Sequence, residues 1–194
     1  MRDRDLVRLH WPEPLRAAFD ALMALDDRLA EVALGASQPA LGAIKLAWWR
    51  DQLVVLDTQK PPPEPILSAV AGEVLPLGLS GAALSRLAEG WSGLLDEEPD
   101  PAPRGQALFT LLARLLGEQE APGGEAFARA DLARRTGEAG WLKPVRLERA
   151  APRLRPVTAL DALGARDQRR GWPPEPEATP GRSWALLKHR LTGR

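Results

Sequence analysis

The chain has 194 residues, with no cysteine, no tyrosine and a formal net charge of zero. That length suits one domain with a substantial buried core, and the lack of cysteine excludes disulfides, a thiolate metal site and a cysteine nucleophile. The only histidines, His10 and His189, lie at opposite ends, so no local segment carries a zinc-type histidine cluster.

Charge is unevenly spread. Residues 1–144 hold 15 Lys and Arg against 21 Asp and Glu, a balance of −6, while residues 145–194 hold 11 against 5, a balance of +6. The basic C-terminal part is expected to neutralise the acidic body. Contact with anionic lipid or an acidic partner is the alternative. No apolar run reaches the length of a membrane span, and Met-Arg-Asp-Arg-Asp is no signal-peptide start. A cytoplasmic protein is expected, with peripheral membrane contact through the basic C-terminal segment as an option. No nucleic-acid partner is expected.

A single domain over residues 1–194 is expected, beginning with a charged lead-in, 1–13. Pro12 and Pro14 punctuate the entry to a helix from about Pro14 to Leu34, Pro suiting a first-turn position. Its stripe is Leu15, Phe19, Leu22, Leu29 and Ala33, with Arg16, Asp20, Arg28 and Glu31 opposite. Asp26 falls on the stripe, four residues after Leu22 and three before Leu29, whereas Asp27 turns toward the polar edge. A buried carboxylate needs a partner, and Lys45 or Arg50 of the next helix are the expected ones.

That next helix follows a turn at 35–38 and ends near Asp57. Leu41, Ile44, Trp48 and Val55 share one face, and Leu46, Trp49, Leu53 and Val54 cover most other directions. A helix apolar nearly all round belongs inside a bundle. Asp51, between Ala47 and Val55 on the apolar face, would then need a cation, a donor or water.

Pro61, Pro62, Pro63 and Pro65 make a stiff loop before a short helix, Glu64 to Leu75, stopped by Pro76 and Gly78. Ser80 is a good N-cap for a helix beginning at Gly81 and carrying Leu84, Leu87, Trp91 and Leu94-Leu95. Asp96 to Asp100 form an acidic helix end broken by Pro99 and Pro101. A leucine-rich helix from about Pro103 to Glu118, another from about Glu125 to Ala139, and an irregular Pro- and Arg-rich stretch from Leu142 to Pro156 follow. A helix from Val157 to Arg170 ends on Arg166, Arg169 and Arg170, which complement its dipole. Residues 171–181 are a proline-rich linker to a last helix, Arg182 to Leu191, expected to pack through Trp184, Leu187 and Leu191.

The segment IKLAWWRDQL, Ile44 to Leu53, resembles the IRLQWWRDAL signature of the squalene/phytoene synthase family. The likeness is closest to the branch that includes the mitochondrial complex I assembly factor and its bacterial relatives. Weaker likeness extends to the preceding acidic helix, to EGWSGLLDEE and to GRSWALLKHRLTGR. The resemblance implies an all-α fold, a shortened isoprenoid-synthase-like helical bundle of some eight helices.

In the family's enzymes, two aspartate-rich motifs hold a prenyl diphosphate through magnesium at the mouth of an apolar cavity. The counterpart of the first is Asp26-Asp27-Arg28-Leu29-Ala30, with Ala30 in place of the last acid. The counterpart of the second is Asp131 to Arg135, with Arg135 in place of an acid. A cation there opposes metal binding. The resemblance therefore implies a catalytically silent relative that binds an isoprenoid-like ligand or a protein partner. The candidate binding residues are Asp26, Lys45, Trp48, Trp49 and Arg50. The alternative is a magnesium-dependent prenyltransferase using Asp26, Asp27 and Asp51, with Asp26 as the candidate metal ligand.

Overall fold

A computed structural model describes residues 2–194; Met1, part of the expected lead-in, lies outside them. The fold is all-α, and the described residues form nine α-helices and no strand. They are α1 (Asp3–Arg8), α2 (Arg16–Leu34), α3 (Pro39–Val55), α4 (Pro65–Glu73), α5 (Gly81–Ser92), α6 (Ala102–Leu115), α7 (Glu125–Thr136), α8 (Arg155–Arg170) and α9 (Pro180–Thr192).

The hub is α2. Phe19, Leu22, Leu25 and Leu29 are buried, and the helix touches α3, α4, α5 and α6. A second layer continues in chain order, α6 on α7, α7 on α8 and α8 on α9. The lead-in is a helix as well: Val7 and Trp11 bury themselves, Trp11 stacks 4.9 Å from Phe19, and α1 is thereby fixed against α2, α8 and α9. A fully buried Val or Leu contributes about 1.5–3 kcal/mol relative to exposure. Two such anchors suffice to hold a six-residue helix that would not form alone.

Ser80 caps α5 as expected, accepting from Ala83 N at 3.1 Å. Two helix starts are also capped by carboxylates of other helical regions. Asp57, just past α3, accepts from Gly81 N and Ala82 N at 2.6 and 3.1 Å, and Asp161 of α8 accepts from Gly124 N and Phe127 N at 2.7 and 2.8 Å. Such carboxylates satisfy amides that the helix itself leaves unpaired.

Two packing expectations are corrected. In α3 the buried face is Gly42, Leu46, Trp49 and Leu53, against α5 and α2, while Ile44 is 66% and Trp48 46% exposed. The helix lies at the side of the bundle, because only one of its apolar faces meets a neighbour. In α9 the buried residues are Arg182, Leu186 and His189, and Trp184 and Leu191 point outward. The linker 171–181 is tied down too: Glu175 takes Arg166 at 2.7 Å, and Ala178 N donates to Asp3 Oδ1 at 2.9 Å. Arg166 therefore serves Glu175 in addition to the end of its own helix.

Candidate functional site

Asp26 lies fully buried on the core face of α2, at the inner end of an ion-pair network. Its partner is Arg104 of α6, neither Lys45 nor Arg50. Arg104 Nε donates to Asp26 Oδ1 at 3.0 Å and Nη2 to Oδ2 at 2.5 Å, while Trp91 Nε1 donates to Oδ1 at 2.8 Å. The guanidinium also lies 4.0 Å from the centre of the Trp91 ring, a cation–π contact in a desolvated place. Gly90 makes this possible: a Cβ there would meet Arg104 Cα at 2.6 Å, so only glycine lets α5 and α6 approach closely enough.

The network continues to α7. Arg104 Nη2 reaches Asp131 at 2.7 Å; Arg135 reaches Asp131 at 2.8 Å and Asp27 at 2.5 Å. Arg4 of α1 closes the chain on Asp27. Burial works against the charges of Arg104, Asp131 and Arg135, but the opposite charges prevail. Arg104 and Arg135 hold the Asp131 carboxyl below its usual range, and the carboxylates hold both guanidiniums above theirs.

A second network faces the first. Arg182 of α9 pairs with Asp167 of α8 and with Asp3 of α1, each at 2.5 Å, and Arg134 of α7 pairs with Asp167 at 2.8 Å. Between the two networks lies a cavity of about 420 Å³. Asp27, Asp131, Arg135, Asp167 and Arg182 are part of its wall, and Met23, Phe127, Leu160 and Leu163 supply apolar lining.

The structure brings together Asp26, Asp27, Asp131 and Arg135, the residues expected from the resemblance to stand for the two aspartate-rich motifs. It does not bring them to the signature helix. Lys45, Trp48 and Arg50 are exposed on α3, and Trp49 is buried beneath with its ring 5.4 Å from that of Trp48. Asp51 is also exposed, paired with Arg50 at 2.8 Å, because the face expected to be buried faces solvent.

Magnesium needs free carboxylate oxygens in octahedral array. Both oxygens of Asp26 are engaged by Arg104 and Trp91, a donor set that does not fit the ion. Among the described residues no group of three or more His, Cys, Asp or Glu side chains gathers to hold a metal.

Arg104, Asp167 and Arg182 were not anticipated, although a signal for each existed. Arg104 precedes Leu108 by four and Leu111 by seven; Asp167 follows Leu163 by four and Leu160 by seven; Arg182 precedes Leu186 by four. Each is a charge on an apolar stripe, the mark that singled out Asp26.

Compared with family models, with curated proteins and with solved structures, the chain finds no match.

Proposed function

We propose that this chain is a catalytically silent relative of the squalene/phytoene synthases, working by binding and not by turnover. The carrying observation is the guanidinium bridge. Arg104, Arg135 and Arg4 neutralise Asp26, Asp27 and Asp131 where the family's enzymes would present acids to a magnesium–diphosphate. An arginine supplies fixed positive charge without a metal, but it holds the carboxylates so that they no longer serve as metal donors. The convergence of both motif positions on one network supports the family reading, and the replaced acids support its silent branch.

The exposed face of α3 supports a protein as the partner. Leu41, Ile44 and Trp48 form an apolar ridge at the three- and four-residue spacing of helix-docking surfaces. Beside it runs a groove of about 630 Å³ with Ala40, Ala43 and Ala47 in its wall, and Arg50, Glu89 and Asp96 also lining it. Small residues permit close approach, and charges of both signs suit a polar rim. By its likeness to the assembly-factor branch, the partner would belong to respiratory-complex assembly. An isoprenoid-like ligand in the 420 Å³ cavity is the second reading, favoured by the apolar lining from Met23, Phe127, Leu160 and Leu163.

The test is calorimetric titration of farnesyl diphosphate with and without magnesium, alongside a product assay. The expected result is no product and no magnesium-dependent heat. Magnesium-dependent binding that vanishes in Asp26→Ala, or any turnover, would restore the prenyltransferase alternative. Binding that ignores magnesium would favour the isoprenoid-ligand reading over the protein partner.

A further inference from the structure

We propose that α9 is a docking helix for the surface of an anionic lipid bilayer. Its outward ridge is Trp184, Leu187 and Leu191, respectively 69%, 43% and 69% exposed, while Leu186 and His189 turn inward against α8. The helix and the two residues after it contain no acidic residue, and Lys188, Arg190 and Arg194 are exposed with the ridge.

The surface extends beyond the helix, because the stretch leading into α8 is bonded to its end. Ala150 N donates to Gly193 O at 3.0 Å, Arg149 Nε to Thr192 O at 3.1 Å, and Arg155 Nη1 to Arg190 O at 2.9 Å. Exposed Arg146 and Arg149 therefore stand beside the α9 terminus with Arg194, and a single exposed acid, Glu148, lies between the first two in sequence. An apolar Trp/Leu face with a basic surround fits the interfacial helix, whose rings enter the headgroup boundary while Lys and Arg meet lipid phosphates. Each basic residue close to an anionic leaflet strengthens binding about fivefold.

Charge complementarity chooses this occupant. The apolar ridge of α3 is bordered by Asp51 and Lys45 and has Glu89 and Asp96 near Arg50, a mixture that an anionic bilayer would not favour. The α9 ridge has cations alone on its own helix, and the adjoining stretch adds Arg146 and Arg149 against one acid, Glu148, so the surround stays net positive. A bilayer also needs no groove, and the ridge side chains are exposed. Lipid docking by α9 is independent of the proposed function, since neither ion-pair network nor the α3 ridge takes part in it.

The experiment is co-sedimentation of the full chain with vesicles of phosphatidylcholine alone, and of phosphatidylcholine with about 30% phosphatidylglycerol. Binding is expected to the anionic vesicles only, and to weaken as salt rises. The double variant Trp184→Ser/Leu191→Ser should bind at least about tenfold more weakly, and Lys188→Glu/Arg190→Glu similarly. Both should keep the parent's melting temperature, because the replaced side chains are exposed. Equal binding by parent and variants, or no binding to anionic vesicles, overturns the proposal. So does a dimer in light scattering that Trp184→Ser/Leu191→Ser dissolves, since a second copy would then own the ridge.

Discussion

Arg104 and Asp26, 78 positions apart in the chain, meet as a two-pronged ion pair with no exposed surface on the guanidinium. The pair joins α2 to α6 at the molecule's centre, and Asp131 extends it to α7. Losing Arg104 would leave Asp26 with only the Trp91 N–H, and losing Asp26 would leave Arg104 with Asp131 alone, in a medium that solvates charge poorly.

Removing one partner should therefore cost more than removing both. Asp26→Ala is expected to lose about 3–5 kcal/mol of unfolding free energy. Asp26→Leu combined with Arg104→Met should recover much of that loss, since both members of the pair are gone and Asp131 keeps Arg135 as its partner. Urea denaturation of the two variants and the parent measures it, and a double variant no better than the single would show that the pair's worth is not electrostatic.

The two faces of α3 should respond differently to truncation. Leu53→Ala opens a cavity against α5 and should cost about 2–5 kcal/mol. Trp48→Ala removes an exposed ring and should stay within about 0.5 kcal/mol. Thermal melts of both give the contrast. A strongly destabilising Trp48→Ala would mean that the ridge is covered in the free protein.

Gly90 should not tolerate a side chain. Its Cβ would lie 2.6 Å from Arg104 Cα, a backbone atom that cannot step aside. Gly90→Ala is expected to cost at least about 1–3 kcal/mol by forcing α5 from α6. Loss of the Trp91–Asp26 hydrogen bond should accompany it, visible as a changed Trp fluorescence spectrum together with a lowered denaturation midpoint.

Stability should depend on pH through two buried groups that act in opposite directions. Burial, then the charges of Arg155 and His10, pushes His189 down to about 4. The unfolded chain takes up this proton near the ordinary value of about 6.5, so stability from His189 falls as pH drops from there toward 4. Burial raises Asp161 to about 6, against the two amides it accepts. The folded state takes up that proton first, so stability from Asp161 rises as pH drops from 6 toward 4. Each is worth roughly 3 kcal/mol at most by the linkage relation. His189→Asn should reverse or flatten the acid-side decline between pH 6.5 and 4, and Asp161→Asn should steepen it. Unfolding free energies across that window decide the matter, and unchanged profiles in both variants would sink the assignment.

Much of this fold was legible in the chain. Helical periodicity, the Pro and Gly breaks and the Ser80 cap located the main helices to within a few residues, because these signals are local. Burial of Leu22 and Leu29 on α2, and of Leu84, Leu87 and Trp91 on α5, also followed from a single apolar stripe. So did the solitary charge of Asp26 among apolar neighbours.

Where a helix offers two apolar faces, periodicity cannot say which one finds a partner. Leu46 and Leu53 of α3 are buried, and Leu41 and Ile44 are not, though their hydrophobicity is alike. Leu186 of α9 turned inward and Leu187 outward for the same reason. The partner of Asp26 was equally a tertiary outcome: Lys45 and Arg50 are nearer in sequence, but α3 presents them to solvent while the Gly90 contact delivers Arg104. Residue order determined which side chains share a face and which charges stand on apolar stripes. Only the packing of helices decided which faces meet and which charges pair, because those choices depend on distances between segments far apart in the chain.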